Sequence, residues 1–352
     1  MKKIYIKYII ICLSIFIMNI STSSSIFNIL LYSTIIIPLA VIVGKNTSFI
    51  SEYIGEKKGG LLSAASGNIP ELSMGIWSIK CGMISMAKSA LIGAIISNIL
   101  LVLGVSIFAG GVKYKEQKFN KIVARTNFSM LFIALSTMII IASLSSFNKM
   151  GQHTIAVLSV KVAVVLIFVY ILGLVFSLYT HSNLFIVTTG ENEENILKKD
   201  KNFYKLLFEI IICSLFIYFI SESLVLNIKQ VVHAYNVSEE FLGIILIPLL
   251  GNMGENLSAI ICAFQNKINL SLEIAIGSSI QISLFVTPIL VIFSYFLNLN
   301  MTLLFSPFQI IIAIIAGIMS FFVFQDGKTY WFEGVVLIST YIIVTLAYYY
   351  IA

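Results

Sequence analysis

Ten apolar runs of roughly 20 residues follow one another, at 26–44, 60–80, 86–109, 123–144, 154–179, 204–227, 240–263, 271–296, 302–323 and 331–351, and an eleventh at 4–20 precedes them. A run of about 20 such residues is the length a helix needs to cross the hydrocarbon core of a bilayer. With 59% hydrophobic and only 11% charged residues, against about 25% charged in soluble domains, the chain has too little polar surface to enclose these runs in water. The predicted fold is therefore an all-α polytopic membrane protein of about 11 transmembrane helices. The first run is ambiguous. Lys2, Lys3 and Lys7, the short apolar stretch and "STSSS" at 21–25 also fit a signal-like anchor, and residues 1–25 are read here as an N-terminal helix.

Charge gives the orientation. Counting alternate flanks, 17 Lys and Arg fall on the side of the N-terminus and 5 on the other (Lys80, Lys88, Lys149, Lys161 and Lys229), which places the N-terminus in the cytoplasm and the C-terminus outside. The cell (plasma or inner) membrane is the expected location. The net charge of +6 reads as this topological signal and not as a nucleic-acid surface, because the basic residues are scattered over short loops and only Arg125 is an arginine. The longest polar stretch, 180–203, holds "ENEENILKKDKN" and reads as a cytoplasmic charged linker. Cys12, Cys81, Cys213 and Cys262 have no metal-type spacing and read as small apolar side chains.

An internal repeat organises the runs. "GNIPELSMGIWSIKCGMISMAKSALIGAIISN" (67–98) aligns without a gap on "GNMGENLSAIICAFQNKINLSLEIAIGSSIQI" (251–282), at an offset of 184 residues. Gly67, Asn68, Glu71 and Gly93 fall on Gly251, Asn252, Glu255 and Gly277. The two copies start five spans apart and so cross the membrane in opposite directions. This predicts two inverted-topology five-helix repeats, 26–179 and 204–352, joined by the linker at 180–203. Gly67 and Pro70 in one copy, and Pro248, Gly251 and Gly254 in the other, are expected to break their helices.

Glu71 lies about 11 residues into its run and Glu255 about 15, near mid-depth at about 1.5 Å per residue. Carboxylates there are costly and functional by default, and no Lys or Arg occupies the middle of either span. A facing pair suits one divalent cation or two protons. Magnesium and calcium take oxygen ligands, available from Asn68, Asn252, Ser97, Asn98, Ser278, Ser279, Gln281 and the carbonyls freed at the breaks. His153, His181 and His233 fall at span ends or loops, which disfavours a soft-metal site. When metal leaves, two close carboxylates repel, so protons and metal compete and the pair titrates as a unit. Glu209 and Glu273 read as acids in the first turns of their helices that reach headgroup water, and Glu191, Glu193, Glu194, Glu239 and Glu240 as solvated.

"GGLLSAASGNIPEL", "GAIISNILLVLGVSIFAGG" and "IPLLGNMGEN…IAIGSSIQISLFVTPILV" resemble the two signature repeats of the calcium/proton exchangers, a branch of the calcium/cation antiporters. The resemblance runs from about residue 26 to the C-terminus. It implies an eleven-helix antiporter that exports Ca2+ in exchange for H+, with no cofactor besides the transported ions. It also implies that Glu71 and Glu255 carry metal and protons, with Asn68 and Asn252 beside them and Ser97, Asn98, Ser279 and Gln281 lining the site. Glu222, in "SESL", matches an acid of the family's seventh span and is expected either in proton access or gating or as a helix-end acid near the outer surface. Three departures stand out: Asn256 where the family usually has histidine, Ala94 where it has serine, and Pro70 before the first glutamate.

Other readings remain open at this level. A sodium/calcium exchanger or a carrier of Mn2+ would use the same hard-oxygen site, and a non-transporting sensor would keep the site without flux. An enzyme is disfavoured: the chain has no HExxH or GxSxG, and its only aspartates, Asp200 and Asp326, fall outside the runs.

Overall fold

The structure, a computed structural model, describes residues 24–54, 62, 66–148, 151–181 and 201–351. The run at 4–20 and nearly all of the charged linker lie outside these residues. Among those described there are eleven helices: α1 (Ser25–Ile54), α2 (Ile69–Lys80), α3 (Ile84–Tyr114), α4 (Lys121–Asn148), α5 (Gln152–Thr180), α6 (Lys201–Tyr235), α7 (Glu239–Gly251), α8 (Met253–Phe264), α9 (Ile268–Phe296), α10 (Pro307–Val323) and α11 (Trp331–Ile351). Two short strands, β1 (Glu116–Lys118) and β2 (Lys328–Tyr330), pair antiparallel between helices. Seven of the helices are long and apolar enough to cross a membrane, and the bent pair α7–α8 makes an eighth. Phe147, Phe168 and Ile343 are among the many large apolar side chains left exposed, as a lipid-facing surface requires.

Local chemistry sets the helix ends. Ser306 and Gln309 close a reciprocal capping box at the start of α10, and the Ser238 hydroxyl accepts from two backbone amides at the start of α7. The turns that end α2 and α8 are built alike. Met83 N donates to Ser78 O and Lys267 N to Cys262 O, both at 2.8 Å, and the residue before each donor is left-handed, Gly82 at φ 79° and Asn266 at φ 63°. Glycine and asparagine are the residues that tolerate that conformation.

Polar contacts sort these turns to opposite ends of the bundle. At one end, Lys229 Nζ donates to Cys81 O and Lys88 Nζ to Leu304 O. At the other, Gln117 Nε2 donates to Asn266 Oδ1, and Lys328 pairs with Glu116 at 3.2 Å. The Lys328 ammonium and the Tyr330 hydroxyl hold the partly exposed Glu116 carboxyl below the usual carboxylate range.

The apolar interior forms two clusters. The smaller gathers α1, α6 and parts of α2, α3 and α7; the larger holds α4, α5, α9, α10, α11 and the rest of α3. α1 and α6 run antiparallel, tied by Ser25 to Gln230, Asn28 to Asn227 and Asn46 to Glu209. Glu209 is therefore not a headgroup acid as expected from sequence. It is buried well inside a helix longer than the apolar run, accepting from Asn46 Nδ2 at 2.8 Å.

The aligned glycines Gly93 and Gly277 differ in their surroundings. A Cβ on Gly93 would fall on the backbone of Ile244 in α7, whereas nothing lies within 4 Å of one on Gly277. Gly93→Ala is expected to cost about 1–3 kcal/mol by overpacking and Gly277→Ala less than about 0.5 kcal/mol. Thermal denaturation of the two variants in detergent checks the difference.

Candidate cation site

The two glutamates occupy equivalent local structures. Asn68 precedes α2 and Asn252 precedes α8, each at a non-helical junction, and Glu71 and Glu255 sit in the first turns that follow. Pro70 is compatible with its place because the first turn of a helix needs no amide there. Helix N-termini carry partial positive charge, so both carboxylates lie where the backbone favours an anion. In the second copy the helix breaks sharply: α7 ends at Gly251, α8 starts at Met253, and the axis turns by 63°. The break has a glycine at its corner because the Glu71 carboxylate lies where a Cβ of Gly251 would be. Gly254 has another role. It is the second residue of α8, where a Cβ would come within 3.1 Å of Val41 on α1, so its small size serves packing. Leu62 and Ser66 apart, the residues just before Gly67 lie outside those described, so Gly67 is placed at the start of α2 without the preceding half-span.

Burial makes the site reactive. Glu71 is 4% exposed and neither carboxylate oxygen has a hydrogen-bond partner. Glu255 is close enough for the two charges to interact, and its Oε2 is also unpartnered. Neither side-chain amide atom of Asn98 or Asn252 is bonded, though both residues are buried. Each such group costs about 1–3 kcal/mol if left unmatched. The orphaned oxygens of Glu71 and Glu255, which lie within interaction range of each other, and those of Asn98 and Asn252 are hard donors of the kind a cation or protons would match.

The remaining predicted residues divide. Asn68 is a bridge: its amide nitrogen donates to Gln281 Oε1, and its oxygen accepts from the Ser278 hydroxyl at 3.1 Å. Ser278 also lies beside Glu255. Ser279 instead donates to Ala275 O in its own helix, and Ser97 faces Tyr341 on α11. Glu222 is not brought to the pair; it sits near Cys81 and Lys229, at the end of the bundle holding the α2–α3 turn.

Two features escape the sequence reading. Both helices that follow the glutamates contain a π segment, Ser97–Val102 in α3 and Ile282–Val286 in α9. Such wide turns are frequent at functional sites; the first begins with "SN" and the second follows "SSIQ", without a composition signal. The second is a cavity of about 600 Å³ that reaches Glu255, Ser278 and Gln281 from the side of Lys45, Leu270 and Ser258. Glu273, read from sequence only as an acid in the first turns of its helix, lines it. It is five residues into α9, on the same face as Gly277 one turn later.

A bundle of apolar helices broken beside buried acids is the build of a membrane ion carrier. The chain belongs to the sodium/calcium exchanger protein family, whose family model matches residues 24–179 and 205–350. A "Ca(2+)/H(+) antiporter" of Aphanothece halophytica is 37% identical over 330 residues, covering 90% of this chain and 88% of that protein. The structure of native YfkE superposes with a TM-score of 0.80 at 30% identity, over 97% of this chain and 98% of that one. An H+/Ca2+ exchanger named CAX shares the fold at TM-score 0.73 and 15% identity, over 99% of this chain and 92% of that one.

Asn68→Ala and Asn252→Ala delete the same atoms, but only the first strips Ser278 and Gln281 of a partner. Asn68→Ala is expected to be the less stable of the two by about 1–3 kcal/mol. Thermal melts of both variants in chelator, without divalent cations, measure it.

Proposed function

We propose that the protein is a secondary active antiporter that exchanges Ca2+ for H+ across the cell membrane by alternating access. The observation that carries this reading is the pair Glu71 and Glu255: the first buried and the second half-buried, mutually interacting, short of hydrogen-bond partners and each at a helix N-terminus near an asparagine. The 37% identical Aphanothece halophytica protein, a Ca(2+)/H(+) antiporter by name, supports the choice of ions. In this mechanism Ca2+ is coordinated by both carboxylates, by the Asn68, Asn98 and Asn252 amide oxygens and by Ser278 and Gln281. On release the carboxylates repel, and protons taken up by the pair neutralise it for the return. Neutralisation removes the charge that binds the metal, and this competition couples the two fluxes.

The layout supported is eleven spans, residues 1–25 forming the first, then inverted repeats 26–179 and 204–352 about the linker at 180–203. Helix bounds favour it. Ile69–Lys80 and Met253–Phe264 begin and end 184 residues apart, as do Ile84 and Ile268, and Val102 and Val286. The ties between α1 and α6 repeat too: the same offset relates Ser25 to Glu209 and Asn46 to Gln230, so one bond is the counterpart of the other at the opposite end of the pair. The division of the apolar interior into an α1–α6 cluster and a larger one favours movement of that pair against the rest, with the site at the seam. The positive-inside count favours a cytoplasmic N-terminus and an external C-terminus, and with them a cytoplasmic opening for the cavity on the side of Lys45 and Leu270.

Proteoliposomes with an imposed pH gradient test the reading. The unaltered protein is expected to move Ca2+ against the proton gradient, and Glu71→Gln or Glu255→Gln to lower that flux more than about tenfold, the usual cost of losing a charged ligand. Flux that follows Na+ and ignores pH would reject proton coupling, and normal transport by both variants would reject the pair.

A further inference from the structure

The cavity carries one acid that the exchange mechanism does not use. Glu273 is half-buried in its wall and, among the described residues, makes no hydrogen bond or ion pair. A charged group left so in a span is costly, and nothing in the packing of α9 requires it. Its position is ordered with respect to the site. Along α9, Glu273 comes first from the mouth, Gly277 follows one turn deeper, and Ser278 and Gln281, the contacts of Glu255 and Asn68, lie beyond. The face between is open, since a Cβ on Gly277, or on Gly44 across the cavity, would meet nothing within 4 Å. No group of three acidic, histidine or cysteine side chains among the described residues converges closely enough to hold one metal ion. Glu273 is therefore a separate stop and not a third ligand of the pair.

The other repeat has no such acid. The aligned residue is Ser89, fully buried and bonded to Gln309 Nε2 at 2.8 Å. Whatever Glu273 does, it does only on the side to which this cavity opens. The other charged groups lining the cavity are Glu255 and Lys45. Lys45, near the mouth, opposes an arriving cation.

We propose that Glu273 is a one-sided capture residue for the divalent cation: its carboxylate takes the ion from the cavity against the repulsion of Lys45 and hands it along the Gly277 face to Ser278 and the Glu71–Glu255 pair. The inference rests on reading that pair as the transported-ion site. A fixed charge in a narrow, low-dielectric cleft raises the local concentration of counter-ions, so the effect is on half-saturation and not on the maximal rate.

The test is Ca2+ flux in proteoliposomes of known orientation, measured separately from the two faces. Glu273→Gln is expected to raise the half-saturating Ca2+ from the cavity face by about three- to tenfold, to leave it unchanged from the opposite face, and to keep the maximal rate within about twofold. Glu273→Asp, which keeps the charge, is expected to restore most of the loss. Lys45→Gln is expected to lower the half-saturating concentration from the cavity face. Equal changes at both faces, no change at either, or loss of maximal rate alone would overturn the proposal. So would a Lys45→Gln variant that mimics Glu273→Gln, since that result marks a structural ion pair. If Glu71→Gln and Glu255→Gln are inactive while Glu273→Gln is silent, capture fails and the pair stands; if the pair variants transport normally, the site reading itself fails.

Discussion

A carboxylate inside a bilayer must be neutralised, bonded or supplied with a counter-ion, and the rest of this structure depends on how two of them are accommodated. Water at that depth is scarce, and continuous helices would leave Glu71 and Glu255 facing fully paired backbone. The junctions at Asn68 and Asn252 change that. Each puts an uncapped helix N-terminus, with its free amides, next to the acid, and the second also ends α7 at the same point. Positive ends steady the anions. The pair therefore keeps three carboxylate oxygens without a hydrogen-bond partner, which is the demand a metal ion or protons would meet in the proposed exchange.

The helix that follows each glutamate meets a second demand. α3 packs so tightly on α7 that Gly93 admits no side chain, while α9 turns its matching glycine toward the cavity. One sequence signature therefore does two jobs in a single conformation. A molecule whose repeats are alike in sequence but unlike in surroundings is asymmetric at any moment, and alternating access needs that asymmetry.

Much of this was legible along the chain. The runs from residue 26 onward hold described helices, the 60–80 run only from residue 69 and the 240–263 run as a bent pair; the offset of 184 recurs in helix bounds and turns, and the two glutamates are close enough for their charges to interact. Departures from the reading have a common cause. Glu209 and Glu273 were judged by distance from the ends of apolar runs, but Glu209 is buried against Asn46 of α1 and Glu273 lines a cavity that leads to Glu255. Gly254 looked like a helix breaker because it stands near one; its small size instead admits α1. Glu222, matched by motif, sits near the turn at the far end of the bundle from the mouth of the cavity.

By itself the sequence determined that this chain lives in a bilayer, that its helices repeat, and which two acids must be accommodated at depth, because hydropathy, glycine placement and buried charge are local properties written in the order of residues. The tertiary structure decided which polar atoms are left without partners, which glycine is packed and which is open, and which further acid faces the path to the pair. Those depend on what lies across from a side chain, and in a bundle of helices that neighbour is commonly 150 to 220 residues away, as in Asn46 with Glu209 and Asn68 with Gln281.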